Sequence, residues 1–387
     1  MVQKKLIKIK KIKSKIIQGE FGNGKYYGYG RKKIISLVKF ETNSKFFGYG
    51  ESLVGIYSPD LFKVNVNYLS KFFLNKNIDN AIKEVQAIQN NKFFFYQGLI
   101  KSILSSFEIA LLSLKSKVES RSLADTINKV FFNNKLSKKK IIKVYSRAGS
   151  IKSNINDLKK DIEKSKELGI ERIKIRLDIN KDYKKKISLL EKSVNQYAVD
   201  LISNTFANNR NQKNLIKFLK YVKSNKIMWL EEVLNLEDLE NISLLKKFNN
   251  KPFSYGENFT SYFDYINILK LPYIKYLNID ITHCTISDLK KIIEYIKKEK
   301  INKKIILHCW GSVVNLNTSL EVASLFNKYI YMVEFPITKF SLNDFFVKKV
   351  TIKKSKLKMQ NYLEEIENKY NSLDFASKSE KKRFSFD

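Results

Sequence analysis

Seven short apolar runs in this sequence finish on ionisable side chains. RIKIRL (172–177) carries Lys174 and Arg176, QYAVD (196–200) ends on Asp200, and IMWLE (227–231) ends on Glu231. PFSYG (252–256) leads into Glu257, YLNID (276–280) ends on Asp280, KIILH (304–308) on His308 and YMVE (331–334) on Glu334. One Asp or Glu at such a place is commonly a cap for the next helix. Seven successive runs behaving alike are a different signal. Asp200, Glu231 and Glu257 come from three consecutive runs, and all-oxygen ligation of that kind suits Mg²⁺ rather than zinc or copper. Lys174 and Arg176, two residues apart in an extended segment, share one face and can meet an anionic substrate. Asp280 and His308 end neighbouring runs, so a carboxylate can orient an imidazole and raise its basicity, as a general base near neutral pH requires.

The elements around these residues must bring them together. With IIKVYS (141–146) as the first, eight apolar runs recur roughly 24 to 32 residues apart. Charged amphipathic stretches such as DLKKDIEKSKELG (157–169) fill the gaps. Strand and helix alternating eight times predict an α/β fold, a (β/α)8-type barrel whose strand ends converge on one face. Before residue 140 the rhythm differs. Alternating runs from about Ile7 to Gly55, such as KIISLVKF (33–40) and FFGYGESLVG (46–55), predict antiparallel strands. Helical periodicity follows at 79–87 and 98–115. Strands followed by helices predict an α+β unit. The division expected is a unit over 1–125, completed by part of about 340–387, and a barrel over 126–340. The charged tail from about Lys353 is expected to be a helix fraying into solvent.

Composition narrows the function classes. A net charge of +35, from 73 Lys and Arg against 38 Asp and Glu, would suit a nucleic-acid binder. The bases, however, are spread over the whole chain and sit at the polar positions of amphipathic stretches, as in KKIIEYIKKEKINKK (290–304). That is a solvated surface, and its field should attract anionic small molecules. A basic nucleic-acid-binding protein on an enzyme scaffold stays a remote alternative; the expectation is no nucleic acid and no membrane partner. No window reaches about 18 uninterrupted apolar residues. Charges interrupt the starting stretch MVQKKLIKIKKIKSKII, unlike a secretory leader, and two cysteines make no disulfide framework, so the expectation is cytoplasmic. His283-Cys284 and His308-Cys309 do not make a zinc site, because adjacent residues of a strand point to opposite faces. Gly48-Tyr49-Gly50 reads as a turn or a close-packing feature, since no phosphate-loop pattern follows.

The ordered set of strand ends resembles the enolase superfamily, specifically its mandelate racemase-like subgroup, over nearly the whole chain. GYGES (48–52) looks like the capping-domain GxGE segment, RIKIRL like the K-x-K strand, and VD (199–200) like the first metal ligand. WLEE (229–232) resembles the W-x-E-E-P strand and YGEN (255–258) the third ligand. NID (278–280) and LHCW (307–310) match the aspartate and histidine of a dyad, and VEF (333–335) the last glutamate. The resemblance implies a modified TIM barrel of (β/α)7β type with an N-terminal α+β capping domain. It implies one Mg²⁺ held by Asp200, Glu231 and Glu257, with Glu232 set behind Glu231. It implies acid/base roles for the His308–Asp280 dyad and the K-x-K strand, and a hydrogen bond from Glu334 to the substrate carboxylate. The shared chemistry is removal of a proton α to a carboxylate, through an enediolate stabilised electrostatically.

The departures from the pattern refine the expected reaction. Arg176 stands where the family has the second Lys, and a guanidinium is effectively always protonated, so it is a poor base. That favours a dehydratase of an acid sugar (aldonate or aldarate) giving a 2-keto-3-deoxy acid, with a racemase or epimerase of a 2-hydroxy acid as the alternative. The residue after Glu232 is Val233 rather than Pro, and in LISNTF (201–206) Ile202 stands where the family usually shows Asn two residues after the first ligand. Substrate readers are expected in Lys174, Arg176, Asn258 and Glu334. Phe21, Tyr26 and Tyr27 in GEFGNGKYYGYG (19–30) are lid candidates, and LVGIYSPD (53–60) is a second candidate loop. Relatives form even-numbered assemblies, so a homo-oligomer of even order is expected.

Overall fold

The structure, a computed structural model, describes residues 7–22, 32–91, 98–149, 153–201, 212–236 and 239–373. The chain opens with a three-stranded antiparallel sheet of β1 (Ile9–Glu20), β2 (Lys32–Thr42) and β3 (Phe47–Glu51). Helices α1 (Val54–Tyr57), α2 (Pro59–Ser70), α3 (Ile78–Asn90), α4 (Leu99–Val118) and α5 (Leu123–Phe132) follow. Helix α4 is buried from Lys101 to Ser116, because the sheet covers one side of it and the barrel the other. The packing of β3 on α4 explains the spacing of Gly48 and Gly50. A Cβ on Gly50 would stand 1.8 Å from the Ser106 carbonyl oxygen, and one on Gly48 2.2 Å from that of Ala110. The close-packing reading of this pair is therefore the one the structure shows. Gly50→Ala, which forces the strand off backbone rather than off a movable side chain, is expected to cost about 3 kcal/mol in chemical denaturation.

Eight parallel strands then close into a barrel: β4 (Ile141–Ala148), β5 (Arg172–Arg176), β6 (Gln196–Asp200), β7 (Ile227–Glu231), β8 (Phe253–Tyr255), β9 (Ile274–Ile279), β10 (Lys304–Leu307) and β11 (Ile330–Phe335). Pairing of β11 with β4 completes the ring. Among the described residues seven helices alternate with the strands: α6 (Ile155–Glu167), α7 (Tyr183–Ser193), α8 (Gln212–Tyr221), α9 (Leu239–Lys247), α10 (Tyr262–Leu269), α11 (Ile286–Lys298) and α12 (Val313–Leu325). This is the (β/α)7β arrangement expected from the sequence; after β11 the chain turns into the short α13 (Asp344–Val347) in place of an eighth barrel helix. Inside the barrel Tyr145, Ala198, Met228, Trp229, Ile306 and Met332 form a separate packed layer. It is a floor under the strand ends, not a pore.

Two expectations are corrected. LVGIYSPD is not a free loop: Leu53, Val54, Gly55 and Ile56 are buried, and Val54–Tyr57 coil into α1, so the strand expected over 46–55 stops at Glu51. The tail does not begin as a fraying helix. A hairpin of β12 (Ile352–Lys353) and β13 (Lys356–Lys358) adds antiparallel to β4. Helix α14 (Leu363–Asn371) then docks through buried Ile366 and Tyr370, with Glu367 accepting from the Tyr49 backbone N–H at 2.9 Å. Charge at the exposed positions had masked these two apolar anchors and, in the hairpin, the buried Leu357.

Candidate active site

Strand register sets the site. Arg176 lies opposite Asp200, and Asp200 opposite Glu231, so three successive strands present their last residues at one level. Arg176 Nε donates to Asp200 Oδ2 at 2.7 Å. One turn of the alternation deeper, Lys174 Nζ donates to Glu231 Oε1 at 2.5 Å and to Glu334 Oε2 at 3.2 Å. The floor reaches up to the same carboxylates: Trp229 Nε1 donates to Glu231 Oε2 at 2.8 Å and the Tyr145 hydroxyl to Glu334 Oε2 at 3.2 Å. Across the barrel His308 Nδ1 stands 2.7 Å from Asp280 Oδ2, and its Nε2 faces Glu257 Oε2 at 3.6 Å. Asp280 Oδ1 accepts from the Thr282 backbone N–H and hydroxyl and from Asn315 Nδ2, so the carboxylate is fixed on both oxygens. All the strand-end residues read from the sequence thus meet at one mouth. Glu232 is set behind Glu231, at φ 47°, with Oε1 accepting from the Gly256 backbone N–H at 2.8 Å.

Burial makes these charges strong. Burial alone would discharge Lys174, but Glu231, Glu334, Glu257 and Asp200 hold its ammonium above the ordinary lysine range. For Glu231 burial raises the carboxyl, Lys174 opposes, and the like charges of Asp200, Glu257 and Glu334 add to the rise. Glu232 is pushed up to about 8, first by burial and then by Glu257. Glu334 stays below the usual range: Lys174, His308 and Arg147 outweigh its burial. Burial works against a charged His308, yet Glu257, Asp280 and Glu334 raise it to about 9.

The donor set fits a hard divalent cation. Asp200, Glu231 and Glu257 are buried carboxylates at the ends of β6 and β7 and just past β8, and their mutual repulsion is what a dication relieves. Among the described residues they do not form a preassembled cluster, since Asp200 turns to Arg176 and Glu231 to Lys174. The two cations occupy the carboxylate oxygens, so metal entry would reorient those pairs.

Of the expected substrate readers, Asn258 is exposed just beyond Glu257, and Tyr26 and Tyr27 lie outside the described residues. Phe21 is buried and packs edge-on against Trp310 and Phe340, with ring centroids 5.5 and 5.6 Å away, so it is part of the barrel rim. Sequence reasoning missed Tyr145 and Arg147. They alternate on β4 as Lys174 and Arg176 alternate on β5, and Arg147 pairs in register with Lys174. The Arg147 guanidinium lies 4.2 Å over the Trp310 indole, two residues beyond His308, and faces Glu334 closely enough to lower it. The same period-two rule, applied to the first strand, finds both. Also missed was Glu51, whose carboxylate accepts from the Ser312 backbone N–H (2.8 Å), the Ser312 hydroxyl (2.6 Å) and the Asn315 backbone N–H (3.1 Å). It anchors the start of α12, which carries the Asn315 that bonds Asp280.

The family described as enolase C-terminal domain-like matches residues 157–361, more than half of the chain. The chain belongs to that family, and so to the enolase superfamily of enzymes in its mandelate racemase and muconate lactonizing enzyme-like branch. Among solved structures it is similar to the 3,6-anhydro-D-galactonate cycloisomerase of Zobellia galactanivorans, with a TM-score of 0.75 and 18% identity over 95% of this chain and 99% of that one. It is also similar to the L-talarate/galactarate dehydratase of Salmonella typhimurium LT2, with a TM-score of 0.70 and 15% identity over 93% and 89%. At such identities the likeness is one of fold. No curated protein matches the chain in sequence. Among the described residues no helix is long and apolar enough to cross a membrane.

Proposed function

We propose that this protein is a Mg²⁺-dependent dehydratase that converts an acid sugar into a 2-keto-3-deoxy acid. The observation that carries the reading is the asymmetry of the two walls of the site. One wall holds a His–Asp dyad whose Nε2 is directed into the site; the other holds Lys174 and Arg176, both committed as cations to carboxylates. A racemase needs a competent base on each face, and Arg176, which stands where a second lysine would serve, does not deprotonate. The similar dehydratase of Salmonella typhimurium LT2 is named for L-talarate and galactarate, and a variant of it is described as liganded with Mg and L-glucarate.

In this reading Asp200, Glu231 and Glu257 hold the cation, which when bound supplies positive charge against the negative charge that builds on the substrate carboxylate. Lys174 adds a second, fixed positive charge beside Glu231 and Glu334. Glu334, brought against the substrate carboxylate, is raised by the like charge and takes a proton that it shares with it. Asp280 accepts the Nδ1 proton of His308 and so leaves Nε2 as the base. Nε2 removes the proton at C2 and the C2–H electrons pass into the substrate carboxylate, giving an enediolate; their return forms the C2–C3 double bond as the C3–O bond breaks. The proton now on Nε2 goes to the departing hydroxyl, water leaves, and the enol tautomerises to the keto acid. Arg176 is the clamp on carboxylate or hydroxyl oxygens. The test is turnover of a stereochemical library of mono- and diacid sugars in the presence of Mg²⁺, reading keto-acid formation. One or a few configurations should respond. Exchange of deuterium into C2 without loss of water, across the whole library, would replace dehydration with epimerisation.

A further inference from the structure

Two opposite charges of the antiparallel sheet are buried, and both are spent on the barrel. Lys33 is 1% exposed and Glu51 is 0% exposed. Leu37 pairs with Glu51 across β2 and β3, and Lys33 stands four residues before Leu37, so the two side chains leave the same face of the sheet. Buried charges are costly unless they are paired and hydrogen-bonded. Burial pulls the Lys33 ammonium down, and Glu51 opposes. Burial raises the Glu51 carboxyl, and the Ser312 donors, Lys33 and the Asn315 N–H oppose.

What the two charges hold is one stretch of backbone. Lys33 Nζ donates to the Trp310 carbonyl oxygen, and Glu51 Oε1 accepts from the Ser312 N–H at 2.8 Å. Gly311, between them, is approached so closely that a Cβ there would stand 2.5 Å from Glu51 Oε1. This stretch begins two residues after His308, so the sheet grips the chain where it leaves β10. Glu51 reaches the other member of the dyad through α12. Its Oε2 accepts from the Asn315 N–H at 3.1 Å, and Asn315 Nδ2 donates to Asp280 Oδ1 at 3.4 Å. Ser319 Oγ donates to Asn315 Oδ1 at 3.1 Å and fixes which way that amide points. Glu108 supplies the contrast. It is buried on α4 and accepts from the Ile286 and Ser287 N–H groups, at 2.6 and 3.3 Å, where α11 begins after Asp280. It docks the same two units, yet its partners lie beyond the Thr282 donors that fix Asp280.

We propose that Glu51, supported by Lys33, is a positioning residue for the His308–Asp280 dyad: from outside the barrel it sets the direction of His308 Nε2. The effect on turnover rests on His308 being the base of the dehydratase; the orientation does not. The test reads the two separately. The chain has two histidines, so full-length protein labelled with ¹⁵N-histidine gives two imidazoles, and His283→Asn assigns them. The Nδ1 proton shared with Asp280 across 2.7 Å should resonate far downfield in wild type. Glu51→Gln and Asn315→Ala are expected to move it upfield. Lys33→Met must do the same, and keeps the test open if Glu51→Gln does not fold. Glu108→Gln is expected to lower the melting temperature and leave the signal in place. With an acid sugar that is turned over, Glu51→Gln should lower kcat about 10- to 100-fold with KM within about twofold. Glu51→Gln combined with Asn315→Ala should cost little more than the larger single change, because both act on Asp280 by one route. A wild-type signal in Glu51→Gln overturns the proposal, and so does a signal that moves as far in Glu108→Gln. A double variant that loses the product of the two single losses overturns it as well. Absence of turnover in wild type counts against the dehydratase reading alone, because the proton signal is read without substrate.

Discussion

His308→Asn is expected to lower kcat for an acid sugar by about 10³-fold or more, with a melting temperature close to that of wild type. The size follows from what a positioned base contributes, commonly 10² to 10⁴ in rate, with the proton return to the leaving hydroxyl lost as well. The fold survives for a local reason. Asn can still donate toward Asp280, and that carboxylate keeps the Thr282 and Asn315 donors that fix its other oxygen. Steady-state kinetics and a thermal melt on the same preparation make the test. KM should change little, because the substrate carboxylate is held on the opposite wall by Lys174 and Glu334. A variant that turns over at the wild-type rate would remove His308 from the mechanism and the dehydratase reading with it.

The barrel was legible because its strands are short, fully buried and regularly spaced. The runs at 172–177, 196–200, 227–231 and 304–308 coincide with β5, β6, β7 and β10 to within a residue. Ionisable residues at the ends of buried strands contradict simple burial rules, and that contradiction pointed to one mouth. What escaped was tertiary. Tyr145 and Arg147 were not read because IIKVYS stops on an uncharged residue, whereas β4 continues to Ala148 under cover of its neighbours β5 and β11. Glu51 reads as the end of a GxGE segment, but its partners Ser312 and Asn315 are more than 250 residues away in sequence, and no local pattern announces them. The hairpin at 352–358 is too short and too lysine-rich to be seen, because its strands are defined by pairing with β4 rather than by their own hydrophobicity. Lys33 shows the same thing inside the first sheet. A lysine among 73 basic residues is nearly silent in sequence, yet its ammonium is buried, donates to the Trp310 carbonyl oxygen and sits 3.9 Å over that indole.

Glu257→Gln is expected to separate stability from function. Glu257 adds to the like-charge pressure on Glu231 and is the main charge acting on Glu232, both of them buried and both raised above the ordinary carboxyl range. Neutralising it relieves two buried carboxylates. Its bond from Asn278 Nδ2, at 3.3 Å, can be kept by the Gln carbonyl oxygen. The cost is a weaker hold on two cations, a charged His308, which Glu257 favours more than any other group does, and Lys174. Relief of two carboxylates is offset by weaker support for two cations. The metal-free variant should therefore melt close to wild type in EDTA. Mg²⁺ should then raise the melting temperature of wild type, since a cation held at 100 times its Kd adds about 2.7 kcal/mol to the folded state. The variant, with one of three carboxylate ligands gone, should gain much less and should be inactive. An equal shift for both proteins would place the cation elsewhere. A wild type indifferent to Mg²⁺ would leave the crowded carboxylates of β6, β7 and β8 without the charge that justifies burying them together.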